Sequence, residues 1–170
     1  PLAMFPDGVV QRMRVASSSA LAARYLASEK FAGGVLAAAN HVASFSDQVG
    51  LVSVLGSVDS HEEFIREALS PRIQPSFLHL EGAPTLVKRR FVEDSGLRKL
   101  FEIYVMDRPE GMHVPEEALC EILRETLPQY DVVIAVDYGH GMLGPQAVEL
   151  LCKEARFLAI NTQVNAHNHG

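Results

Sequence analysis

The sequence predicts a layered α/β fold, with a mostly parallel sheet between helices and an antiparallel hairpin added at one edge. Three observations lead there. Short runs rich in Val, Leu and Ile, at 49–55, 131–136 and 157–160, read as buried strands. Segments with helical spacing lie between such runs, and strands alternating with helices are the pattern of parallel crossovers. Asp94-Ser95-Gly96 separates two extended segments, which is a hairpin signal.

The elements follow in order. Residues 1–30 give the least readable stretch. Arg12 to Arg14 alternates with apolar residues and suits a short strand, and Ser17-Ser18-Ser19 is placed to cap a helix over 20–27, with Leu21, Tyr25 and Leu26 on neighbouring turns. Gly33-Gly34 opens a clearer helix in which Val35, Leu36, Ala39, Val42, Ala43 and Phe45 recur at three- and four-residue spacings. The strand at 49–55 follows. Ser60 and Glu63 have capping-box spacing ahead of a helix carrying Phe64, Ile65, Ala68 and Leu69, which Ser70-Pro71 ends. Extended segments are expected at 77–80, 85–92 and 100–106. Pro115-Glu116-Glu117 starts a helix, with Pro early and acids in the first turn, and Leu119, Ile122, Leu123 and Leu127 form its apolar face. The run at 131–136 reads as a strand covered on both faces. After the turn Asp137-Tyr138-Gly139-His140-Gly141, Gly144-Pro145 begins a last helix, and 157–160 is the last strand. There is no internal repeat and no low-complexity linker, so 1–170 is expected to form one domain.

Composition narrows the function classes. The 170 residues are 48% hydrophobic and 21% charged, enough apolar content to form a core and to exclude intrinsic disorder. No apolar run approaches the roughly 18 residues of a membrane span. Fifteen basic against 21 acidic residues leave a net charge of -6, which argues against a nucleic-acid partner. The densest basic cluster, Lys88-Arg89-Arg90 with Arg98 and Lys99 nearby, reads either as a solvated strand edge or as a local anion site. Two cysteines, Cys120 and Cys152, make no disulfide framework and suit small buried hydrophobes. With no signal-peptide pattern, a reducing cytoplasm is the expected setting.

In open α/β sheets ligands gather beyond the carboxyl ends of the strands. Three places qualify. Gly33-Gly34 lets backbone N–H groups approach an anion or hydroxyl at a helix start, or is a plain glycine turn. Asp137, at the end of a strand and followed by two glycines, either binds hydroxyls or a water-bridged metal, or caps its own turn. Asn161-Thr162-Gln163-Val164-Asn165 offers amide donors and acceptors suited to sugar, ribose or phosphate. His41, His61, His79 and His113 have no evident partners, and His167 with His169 lacks further ligands for a metal. No G-x-S-x-G elbow, Walker A loop, G-x-G-x-x-G fingerprint, CxxC pair or H-E-x-x-H helix is present.

The order of these motifs resembles a known family. Gly33-Gly34 opens a small-residue helix. Val49 to Leu55 runs into Gly56-Ser57-Val58-Asp59. Pro84-Thr85-Leu86-Val87-Lys88-Arg89-Arg90-Phe91-Val92 and the segment 100–107 follow, and the DYGHG turn closes the series. The chain is similar, over about Phe31 to Ile160, to the PfkB (ribokinase-like) carbohydrate kinases. It most resembles the branch containing the kinase domain of the bifunctional heptose-phosphate kinase/ADP-heptose synthase enzymes. The resemblance implies an α/β/α sandwich with a small β lid. It also implies transfer of the γ-phosphate of ATP, with Mg²⁺, to a hydroxyl of a sugar or sugar phosphate. Gly33 and Gly34 match the family's glycine pair beside the sugar. Lys88 and Arg90 match basic positions near the sugar phosphate of the heptose branch. Asp137, Tyr138, Gly139 and Gly141 match a turn beside the bound substrates, while Asn161, Gln163 and Asn165 fall on the cofactor side.

The departures are specific. Ala37 stands where the family places a sugar-contacting Asn, and Asn40, one helical turn on, is the substitute candidate. His140 replaces the turn's usual Lys. Asn161-Thr162-Gln163 replaces the usual Asp-Pro-Lys or Lys-Pro-Asn. The family's Gly-Ala-Gly-Asp segment, which carries the general base, has no counterpart in this sequence, and neither does the first strand with its sugar-binding Asp, so no catalytic base is assigned. The expectation is a sugar-binding N-terminal part of such a kinase, inactive alone, continuing into a C-terminal half and prone to pair with another subunit. The alternative is a non-catalytic sugar- or nucleotide-binding or assembly module on the same fold.

Overall fold

The computed structural model describes residues 8–17, 22–105 and 112–164. Thirteen elements follow one another among them: β1 (Gly8–Ser17), β2 (Ala22–Phe31), α1 (Gly34–Val42), β3 (Val49–Val58), α2 (Glu62–Ala68), β4 (Ile73–Pro84), β5 (Val87–Glu93), β6 (Lys99–Val105), α3 (Glu116–Thr126), a 3-10 turn (Leu127–Gln129), β7 (Val133–Asp137), α4 (Pro145–Glu154) and β8 (Leu158–Thr162). The strands β3 and β4 pair in parallel, as do β7 and β8. A separate four-stranded sheet has the order β2-β1-β5-β6, antiparallel within each hairpin and parallel where β1 meets β5.

The layering follows from alternation along β3. Val49, Leu51 and Leu55 join a cluster with Leu36, Ala39 and Ala43 of the α1 region and Ile65 and Leu69 of the α2 region. Val52 and Val54 pack instead against a second cluster, built from Leu119, Cys120 and Leu123 of α3, Ala135 of β7 and Ala147, Leu150 and Leu151 of α4. Successive strand side chains point to opposite faces, so this split places helices on both sides of β3–β4. Gly50 admits the neighbouring ring: a Cβ there would lie 2.6 Å from the Tyr130 hydroxyl.

Five expectations are corrected. The stretch proposed as a helix over 20–27 is strand in its described part, β2, paired antiparallel with β1. Tyr25 and Leu26 are 58% and 37% exposed, so their spacing reported no buried face, and the ladder to β1 decided the conformation. The capping box at Ser60 does not form. Ser60 Oγ accepts from the Glu62 N–H at 3.4 Å, and His61, at φ +53°, is the residue before the helix. Pro115 precedes α3 rather than opening it, so Glu116 is the first helical residue. The strand β7 is covered on one face only: Ala135 is buried, but Ile134 is 49% exposed. Cys120 is buried as expected, whereas Cys152 is exposed.

Candidate functional site

The Gly33–Gly34 turn lies where β2 hands the chain to α1. Gly33 is extended and Gly34 sits at φ +53°, a conformation L side chains rarely adopt. Both are buried. The Leu36 N–H closes the first turn on the Gly33 carbonyl at 3.0 Å, and no side chain caps α1. The N-terminal end of the helix therefore carries its partial positive charge without a capping side chain. Asn40, one turn on, has a structural use. Its amide nitrogen donates to Ala68 O at 2.9 Å, and its Oδ1 accepts from the Ser70 N–H at 2.8 Å. The side chain thus clamps the end of α2 to α1.

The carboxyl end of β3 is tied to the root of the four-stranded sheet by one buried hydroxyl. Thr85 Oγ1 accepts from the Gly56 N–H at 2.9 Å and donates to Ser60 O at 2.8 Å, and the Thr85 N–H donates to Val58 O at 3.3 Å. Ser57 Oγ adds a bond from the Gly82 N–H at 2.8 Å. The approach of the two segments at Gly56 is so close that a Cβ there would stand 2.2 Å from the Ala83 carbonyl oxygen. Two residues beyond Thr85, β5 begins.

Register sets Lys88 two strands across from the end of β2. Phe31 pairs with Gly8, Gly8 with Lys88, and Lys88 with Tyr104. At ordinary strand spacing Lys88 lies about 10 Å from Phe31, two residues before Gly33. Lys88 and Arg90 share one face of β5, and the Lys88 ammonium sits 5.3 Å from the centre of the Tyr104 ring. Arg90 is ion-paired with Glu102 opposite it, and Glu102 also accepts from Tyr104 Oη at 3.0 Å and Lys99 Nζ at 3.2 Å. Burial by itself raises the Glu102 pKa, but the hydrogen bonds from Arg90, Tyr104 and Lys99 outweigh it and hold the carboxyl below its ordinary range. The hydrogen bond to Glu102, with that carboxylate's charge, in turn pushes the Tyr104 phenol up. Phe91 and Phe101 stack at 4.3 Å on the opposite face and join the two strands.

The carboxyl end of β7 forms the other half of the arrangement. Asp137 Oδ1 accepts from the Gly139 N–H at 2.8 Å, and the turn passes through Gly139 at φ +73° and Gly141 at φ +69°. The Asp137 carbonyl accepts from the Gln163 N–H at 2.8 Å, and Val136 and Asp137 register with Asn161 and Thr162. Two separately proposed segments, 137–141 and 161–163, are therefore neighbours. Burial raises the Tyr138 phenol. Met142 and Leu143, just past the turn, pack on the cluster that holds Leu80 and Ala83 near the carboxyl end of β4. Downstream, Glu116 Oε1 accepts the Gln146 and Ala147 N–H groups at 2.7 and 3.0 Å, so a side chain of α3 satisfies the start of α4.

Asn165, His167 and His169 lie outside the described residues. Of the other histidines, His79 meets Glu62 at 2.7 Å and His41 packs edge-on against the Phe45 ring. Among the described residues no group of three or more His, Cys, Asp or Glu is placed to hold a metal ion, and no helix is long and apolar enough to cross a membrane. Thr85, Glu102, Tyr104 and Glu116 were not singled out from sequence. Hairpin pairing across Asp94-Ser95-Gly96 was the available signal for Glu102 and Tyr104.

The chain is similar to known proteins in sequence and in fold. The chain is 28% identical over 138 residues to the bifunctional protein HldE of Actinobacillus pleuropneumoniae, covering 81% of this chain and 28% of that protein. It is 27% identical over 140 residues to the HldE of Koribacter versatilis, with 80% and 28% covered. Among solved structures, a carbohydrate kinase from Agrobacterium tumefaciens superposes with a TM-score of 0.63 at 15% identity, covering 91% of this chain and 50% of that one. Phosphofructokinase-2 from Escherichia coli, solved with fructose-6-phosphate, gives 0.61 at 12%, with 95% and 53% covered. This chain has the PfkB carbohydrate-kinase fold.

The four-stranded sheet of β1, β2, β5 and β6, the lid of the reading below, is separate from the parallel pairs β3–β4 and β7–β8. The chain spans 28% of the length of the HldE proteins cited above and about half of each solved kinase. No family model matches it.

Proposed function

We propose that the chain is the sugar-facing part of a PfkB-type carbohydrate kinase, which phosphorylates a sugar or sugar phosphate at the expense of ATP. One observation carries the reading. The uncapped glycine turn of α1 and the Thr85-tied end of β3 lie toward the carboxyl end of the parallel strands, where open α/β sheets bind ligands, and Thr85 leads directly into β5, which carries Lys88 and Arg90 in the sheet read as the lid. The similarity to HldE supports it.

In this reading the backbone N–H groups at Gly33–Gly34 hold sugar hydroxyls, and Lys88 and Arg90 meet the anionic group of a sugar phosphate. The turn from Asp137 to Gly141, with Asn161 and Gln163 beside it, faces the second substrate. Asn40 is left out, because its amide already clamps α2. Bound ATP supplies the phosphoryl group and Mg²⁺ neutralises its charge. Among the described residues no group of three or more His, Cys, Asp or Glu is placed to hold the ion. Positioning by the lid, and exclusion of water beneath it, are what these residues contribute. A cytoplasmic setting follows from the need for ATP. The edges of β2 and β6, where Tyr25, Phe31, Ile103 and Tyr104 are exposed, are available for pairing between subunits.

A thermal-shift titration with sugar phosphates, free sugars and ATP–Mg²⁺, each scored separately, tests the reading. A ligand at ~100 times its dissociation constant stabilises by about 2.7 kcal/mol. A shift with a sugar or sugar phosphate is the expected result. No shift with any of them, from a sample with a cooperative unfolding transition, would overturn it in favour of an assembly module.

A further inference from the structure

Glu102 stands at the centre of the lid's basic face. Its carboxylate, 13% exposed, binds Arg90 through Oε1 and Lys99 and Tyr104 through Oε2, and the Tyr104 ring carries the Lys88 ammonium. Arg90 is itself 19% exposed. One acid thus organises three cations from two strands. The contacts gather three positive charges around this one carboxylate. A phosphate monoester carries about -1.5 to -2 at pH 7, which complements these cations.

We propose that Glu102 is a positioning residue that presets this cationic face for the phosphate group of a sugar phosphate. The inference rests on the sugar-kinase reading above. Without Glu102, Arg90 and Lys99 lose the carboxylate that holds them together and Tyr104 loses its acceptor beside the Lys88 ammonium, so a ligand must do more of the ordering when it binds. With it, the donors are in place beforehand. Within the sheet, Lys88 is two strands across from Phe31, which leads into Gly33–Gly34. Arg89, between Lys88 and Arg90 in sequence, is on the other face of β5 and takes no part.

Isothermal titration of the 170-residue chain with fructose 6-phosphate, fructose and inorganic phosphate tests this in the wild type, Glu102→Ala, Glu102→Gln and Arg89→Ala. The wild type is expected to bind fructose 6-phosphate more tightly than fructose or phosphate alone. Glu102→Ala should lose about tenfold in affinity for fructose 6-phosphate, the scale of coupling within one ion-pair network, while fructose is little changed. Glu102→Gln keeps the shape and one acceptor oxygen and should lose only part of the advantage. Arg89→Ala should behave as the wild type. Unchanged or tighter binding of fructose 6-phosphate by Glu102→Ala overturns the proposal. If that variant does not fold, wild-type affinity in Glu102→Gln overturns it instead. Equal wild-type affinity for fructose and its phosphate refutes the phosphate face but leaves sugar binding standing. Binding of none of the three probes refutes the sugar reading itself.

Discussion

Replacing Thr85 with valine nearly preserves the shape of the side chain and removes one hydroxyl. That hydroxyl accepts the Gly56 N–H and donates to the Ser60 carbonyl, and Thr85 is 4% exposed, so water does not readily replace it. A buried polar group left unsatisfied costs about 1–3 kcal/mol, so two of them give a loss of about 2–4 kcal/mol once partial relaxation is allowed. For a protein of this size each kcal/mol moves Tm by about 2–4 °C, which gives a fall of about 10 °C. Urea unfolding followed by far-UV circular dichroism is the assay, with Thr85→Ser as the control that keeps the hydroxyl. A loss below about 0.5 kcal/mol in Thr85→Val, the size of an ordinary surface substitution, would refute the claim that this hydroxyl ties the lid root to β3. Thr85→Ser removes the methyl group instead and reads its packing separately from the hydroxyl bonds.

Two further outcomes follow from the same contacts. Glu116→Ala removes the acceptor for two N–H groups at the start of α4 and should destabilise the chain by about 1 kcal/mol, read by urea unfolding. The Glu102 carboxyl lies below its ordinary value of 4.5 in the folded chain, so the unfolded chain binds that proton more readily. Its contribution to stability is therefore complete above about pH 4.5 and is lost as pH falls through the lower folded value, and Glu102→Gln should flatten the stability profile in that window.

Much of the fold was legible because local chemistry and tertiary context agree. The alternating apolar residues of β3, the Gly33–Gly34 start of α1 and the hairpin at Asp94-Ser95-Gly96 all appear where the pattern places them. The helix expected at 20–27 fails because its apolar spacing is not used for burial: Tyr25 and Leu26 are exposed, and the pairing to β1 is a long-range fact. Within the candidate site, the glycines at 34, 139 and 141 were readable as places of unusual backbone. The role of Asn40 was not, since its partners are 28 and 30 residues away.

The sequence by itself determined the class of fold, the order of most elements and which face of β5 carries the paired basic residues, since these depend on periodicities of two and of about 3.6 residues. The tertiary structure alone decided what those residues meet. The register slips by one residue between Phe91 and Val92, so Arg90 faces Glu102 rather than Phe101. A slip of one residue exchanges a stacking partner for an ion-pair partner, and it arises from the packing of two strands, which no single segment encodes. The same holds for Thr85, which is an unremarkable residue in sequence until β3 and the lid root close around its hydroxyl.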